Sequence, residues 1–135
     1  MNIVISPMST QDLEYIVIGY APNILADEVL NIGLILFDPK ESETGYCKAS
    51  FFPKWQSAVL RLDPGADIRT LETLARDIEQ RLSTKQDRWE MLHLIEDFFS
   101  NTIRSSNRMR CVTEDDPNME LGRLVKQLTS APETS

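Results

Sequence analysis

Two stretches, Leu13 to Tyr20 and Glu28 to Asp38, limit what this chain can fold into more than any other part of it. In the first, Leu13, Tyr15 and Val17 alternate with Ile16, Ile18 and Tyr20, so an extended backbone carries apolar groups on both faces. In the second, seven of the nine residues between Glu28 and Asp38 are apolar, with a branched and aromatic bias. Such runs read as interior strands of a sheet covered on two sides, and the second is taken as the central strand. Its start is odd. Glu28 and Asn31 stand where a buried strand would carry hydrocarbon, and Gly33 interrupts the side-chain row on the face that a regular strand gives to Asn31.

The rest of the chain supplies partners for these strands. Asp38 to Gly45 is polar and rich in turn formers, so the strand from Tyr46 to Phe52 is expected to return antiparallel, with Cys47, Ala49 and Phe51 inward and Lys48 and Ser50 outward. Three helices have clear apolar stripes. Trp55, Val59 and Leu62 mark a short one over 54–62. Ile68, Leu71, Leu74, Ala75, Ile78 and Leu82 mark a longer one with Asp67 as N-cap and the pairs Glu72 with Arg76 and Asp77 with Arg81 outside. Trp89, Leu92, Ile95 and Phe99, widened by Met91, Leu94 and Phe98, mark a third from about Asp87. Arg108 to Thr113 reads as a fourth strand with Met109 and Cys111 inward. Asp116-Pro117 opens a last helix buried along Met119, Leu121, Leu124, Val125 and Leu128. Ile3-Val4-Ile5 leaves open a short extra strand before Pro7, and 130–135 reads as a frayed tail.

Strands come first and helices follow in a block, which predicts an α+β fold: one domain over 1–129, an antiparallel sheet of three to four strands with helices packed on it. A chain of 135 residues, 41% hydrophobic and 26% charged, suits one such domain. The net charge of −7 argues against a nucleic-acid partner, whose phosphates need clustered Lys and Arg. No run approaches the roughly 20 apolar residues of a membrane helix, so a cytoplasmic protein without a membrane role is expected. Cys47 and Cys111, the two cysteines, read as buried free thiols, because no Cys-x-x-Cys or His spacing supports a metal, and no cofactor is expected. The lone His93 reads as a surface or satisfied histidine, without a catalytic part.

The spacing Tyr15-x4-Tyr20-x-Pro22-x5-Glu28-x2-Asn31-Ile32-Gly33, continued by Leu34 to Phe37, resembles the opening of the bacterial domain-of-unknown-function family 3037. The likeness in motif covers residues 15–39. It departs at Gly19 and Ala26-Asp27, where members more often carry a basic residue and Arg-Gly, so a basic contact made there by relatives does not transfer. What the resemblance implies is a bacterial accessory or regulatory protein without an established activity. Its gene would lie beside one for a HipA-like Ser/Thr kinase, in a small operon of toxin-antitoxin type.

Glu28, Asn31, Tyr15 and Tyr20 form the candidate polar cluster. Its structural reading has Glu28 and Asn31 at least partly buried, bonded to the backbone of the neighbouring strand or of the 21–27 connection. Its functional reading uses Glu28 as acceptor or base, Asn31 as a positioning group and a tyrosine as a wall. No residue is assigned a catalytic role. Two functions stay open. One is an interaction module that covers its second sheet face with a homodimer mate or a different protein. The alternative is a small hydrolase or nuclease-like enzyme using Glu28 with Asp27 or Asp38.

Overall fold

The computed structural model describes residues 10–22, 28–98 and 102–129. The possible strand at Ile3-Val4-Ile5, the 23–27 connection with Asp27, the Phe98 side chain, Phe99 and the tail 130–135 lie outside the described residues.

Five strands and four helices occur among the described residues: β1 Gln11–Tyr20, β2 Leu30–Phe37, β3 Cys47–Phe51, α1 Trp55–Leu62, α2 Ile68–Leu82, α3 Arg88–Phe98, β4 Ile103–Ser105, β5 Met109–Thr113 and α4 Pro117–Thr129. All pairings are antiparallel, and the order is β3-β2-β1-β4, with β5 also on β1. The α+β class expected from the sequence therefore holds, with one strand more than three to four. The addition is β4, three residues long with a single apolar side chain, Ile103. It is specified by its partner: Ile18, Gly19 and Tyr20 of β1 pair with Ser105, Arg104 and Ile103. Ser106 continues the line, giving its amide to Val17 O at 2.9 Å and accepting from Val17 N on Oγ at 2.8 Å. The hub of the sheet is thus β1, with β2 on one side and β4 and β5 end to end on the other.

Local chemistry sets the element ends. Asp38 turns the β2–β3 hairpin by accepting from Lys40 N on Oδ1 at 2.9 Å and from Glu41 N on its carbonyl at 3.0 Å. Glu41 follows at φ 55°, in the left-handed region. Asp67 caps α2 as its sequence promised, accepting from Thr70 N at 3.2 Å and Thr70 Oγ1 at 2.7 Å, and those bonds hold its carboxyl below the usual range. At α4 the carbonyl of Asp116 receives Met119 N and Glu120 N, and Pro117 fills the first turn, where a missing N–H costs nothing.

Both faces of the sheet are covered. On one, Ile16, Ile18, Ile35 and Phe37 meet α1, α2 and α3 through Val59, Ile78, Leu82, Leu92 and Ile95. On the other, Leu13, Leu34, Leu36, Phe52 and Cys111 meet Leu121 and Leu124 of α4. Tyr46 pins α4 in place by donating to Asn118 Oδ1 at 2.7 Å. The expectation that the second face waits for another chain is corrected over this area: one amphipathic helix suffices, because β5 and β3 are short and the strip to be covered is narrow.

Candidate functional site

The polar residues inside the β2 run are explained by a break in register. Ile18 pairs with Gly33 and Gly19 with Asn31, so Ile32 is an extra residue in β2, a β-bulge. Past the bulge, Ile35 and Phe37 face the helices α1 to α3; before it, Leu30 and Ile32 do. A regular strand would have sent Asn31 into that core with the odd-numbered residues. The extra residue rotates it out and puts Ile32 inside instead.

Asn31 is consequently exposed, and Glu28, which lies before β2 begins, is exposed too, which corrects the expectation that they are partly buried. Val29 between them is 42% exposed and lies against Gly19, where an added β-carbon would collide with Val29 Cγ1. Glu28, Val29 and Asn31 therefore make a rim at one end of the β1–β2 pair. Gly33 serves a different purpose. A β-carbon there would come within 2.9 Å of Phe51 Cδ1 and 3.0 Å of Ser50 O, so this glycine lets the Phe51 ring lie on the sheet.

The two tyrosines are not brought to the rim. Tyr20 faces the α1–α3 side and donates from its phenol to Asp63 Oδ2 at 2.5 Å, beyond the end of α1. Burial, then that bond and the carboxylate's charge, push its pKa up to about 12. Tyr15 packs on the α4 side, four strand positions from Gly19, or roughly 13 Å. Nor can Glu28 work with Asp38. They stand at opposite ends of the eight-residue β2, so the strand alone separates them by roughly 25 Å.

Neither thiol is a ready nucleophile. Cys47 and Cys111 are free and buried. Burial pushes Cys47 up to about 12, the charge of Glu41 adding to it and that of Arg88 opposing it. Burial pushes Cys111 to about 11, helped by its bond to Glu120. The Cys111 thiol donates to Glu120 Oε2 at 3.1 Å, and Arg123 donates to Oε1 of the same carboxylate. Burial would raise the Glu120 carboxyl, but the bonds from Cys111, Arg123 and Thr113 outweigh it and hold the carboxyl below its ordinary value.

Sequence spacing gave no sign of the cluster centred on Arg108. Its guanidinium forks onto Glu96, Nε to Oε2 at 2.8 Å and Nη2 to Oε1 at 2.9 Å, and approaches Glu14 at 3.4 Å and Glu41 at 3.5 Å. Arg108 also lies 4.8 Å above the centroid of Phe37. Glu41 is shared with His93, whose Nε2 is 2.8 Å from Oε2. Next to it Trp89 Nε1 donates to Ser42 O at 3.0 Å and Arg88 Nη1 to Gly45 O at 2.5 Å. With its charge matched by three carboxylates, Arg108 clamps α3, β1 and the hairpin loop together and is not offered to an external anion. The only signal available in sequence was an arginine just ahead of a strand.

Among the described residues no group of three His, Cys, Asp or Glu side chains is placed to hold a metal ion, and no helix is long and apolar enough to cross a membrane. Residues 15–129 match the family described as protein of unknown function, DUF3037. The chain belongs to that family. The DUF3037 match runs from inside β1 to the end of α4, so the rim, the Arg108 clamp and the covering helix all fall within it. No curated protein and no solved structure matches the chain.

Proposed function

We propose that this DUF3037 protein works in the cytoplasm by binding another protein, and that the rim of Glu28, Val29 and Asn31 is where it does so. The carrying observation is the bulge at Ile32, which turns a polar amide out of an otherwise apolar strand and sets it beside a large exposed apolar side chain. Bulges re-aim side chains in this way next to binding sites, and an apolar centre flanked by hydrogen-bonding groups is the make-up of an interface patch. The engagement of the Tyr20 phenol by Asp63 and the raised pKa of both thiols also favour binding over covalent catalysis. The partner implied by the family resemblance is a HipA-like Ser/Thr kinase; a second copy of this chain is the other candidate.

The test is light scattering of the purified protein at micromolar concentration, alone and mixed with a HipA-like kinase of the kind that the resemblance implies. A larger species is expected in one of the two. Val29→Asp with Asn31→Arg should abolish it while leaving the melt unchanged, since both positions are exposed. A larger species that survives both substitutions would place the interface elsewhere, and a monomer in both experiments would sink the proposal.

A further inference from the structure

A second feature, separate from the rim, is a groove of about 210 Å³ where α1, α2 and the end of β3 meet. Its floor is aromatic. Phe51 and Trp55 lie with ring centroids 5.9 Å apart at 45°, and Phe51 is set in place by the bare backbone of Gly33 beneath it. Its wall is one face of α2, Glu72, Ala75, Arg76 and Glu79, with Gln56 of α1 opposite. Gln56 Nε2 donates to Glu72 Oε2 at 3.2 Å, which orients that carboxylate. A carboxylate has roughly four acceptor sites, so one amide bond leaves most of them open.

We infer that this groove accepts an arginine side chain presented by a partner protein. Aromatic rings below and carboxylates beside are the two kinds of group that favour a guanidinium, the rings through their negative faces and the carboxylates through paired charged hydrogen bonds. The volume is below the roughly 300 Å³ at which drug-sized pockets begin, and suits one side chain. Charge agrees: two glutamates face one arginine in the wall, in a chain of net charge −7. Arg76 is the built-in competitor. It is exposed, on a long flexible stem, and is free to swing away when another guanidinium enters. The side chain of Ala75 is small enough to keep the space between the two glutamates open.

The experiment is a titration of the intact ¹⁵N-labelled protein with N-acetyl-arginine amide, followed by NMR, with N-acetyl-citrulline amide as the neutral isostere. Saturable shifts are expected at the Trp55 indole N–H and at the amides of 72–79, with citrulline weaker on the order of tenfold. Glu72→Gln should weaken the arginine response by a similar factor, and Arg76→Ala should strengthen it. Because α2 keeps its N-cap and core stripe in both variants, their unchanged spectra elsewhere would show that the fold is intact. Equal response to arginine and citrulline, or shifts that do not saturate, would overturn the inference. The probe needs no partner protein, so this outcome is independent of what binds the rim.

Discussion

Gly19 lies opposite Asn31 in the β1–β2 ladder while its neighbour Ile18 lies opposite Gly33, and from that one-residue slip the exposure of Asn31 follows. A polar side chain in the middle of an apolar strand looks structural when the strand is assumed regular. Here it faces solvent, so Asn31→Leu should change stability by no more than about 0.5 kcal/mol in a urea melt. A large loss would mean that the amide supports the fold.

Gly33 should tolerate nothing larger. An added methyl meets the Phe51 ring and, at 3.0 Å, the carbonyl of Ser50, which as backbone has little room to yield. Gly33→Ala is expected to cost about 1–3 kcal/mol, comparable with other overpacked sites. The double variant with Phe51→Leu should recover part of that loss and no more, since the backbone contact remains.

The Arg108 clamp should respond to salt. Its side chain is 32% exposed, so the pairing with Glu96 is partly screened, yet the fork geometry and the three carboxylates make it more than a single surface pair. Arg108→Met should destabilise by about 1–2 kcal/mol at low salt and less at high salt. The same change should raise hydrogen-exchange rates in α3 and in the 38–45 loop. An effect confined to β5 would contradict the clamp.

Glu120 predicts a pH dependence with a definite sign. Its folded pKa lies below the ordinary carboxyl value of about 4.3, so the stabilisation it supplies is complete above that value and fades as pH falls through the folded pKa. Glu120→Gln should therefore cost about 1.5–3 kcal/mol at neutral pH, the range for hydrogen bonds to a charged group, and progressively less in acid. Thermal melts of both proteins from neutral pH down to pH 3 would show the two curves converging, and parallel curves would argue against a charged Glu120.

Both thiols should be slow. With pKa values near 12 and 11 and little exposure, Cys47 and Cys111 should react with an aromatic disulfide reagent only as fast as the protein opens, and rapidly in denaturant. A burst of labelling of the native protein at neutral pH would refute this.

The strands and helices were legible because their evidence is local. The two-faced apolar runs specified β1 and β2, and the stripe ending in Leu82 with Asp67 before it specified α2. What the sequence concealed depends on pairing. β4 carries one apolar residue and exists because β1 has a free side there; the bulge needs both strands to be seen at once. Half of the bulge's signature was nonetheless present, as Asn31 and Gly33 within an apolar run. The Arg108 cluster could not be read at all, since Glu96 and Glu14 are 12 and 94 positions away. Of the candidate cluster, Glu28 and Asn31 are both exposed at the start of β2, while Tyr15 and Tyr20 were separated by the alternation of a strand that the sequence had already made plain.

The position of β1 at the hub has a consequence for how the molecule assembles. Asp12 meets Arg110 across the β1–β5 pairing, 98 positions along the chain, so one side of the hub strand stays open until nearly all the other elements have been made. Closing that distance is an entropic barrier that local helices cannot lower, and folding should be slow for a domain of this size. During synthesis the β1–β2–β3 meander would emerge first, with an apolar edge and both faces bare until the helices follow, a template for pairing with other nascent chains. Chains released before β5 should aggregate, and a chaperone that shields the β1 edge should raise the yield of the folded protein more than one acting on the helices.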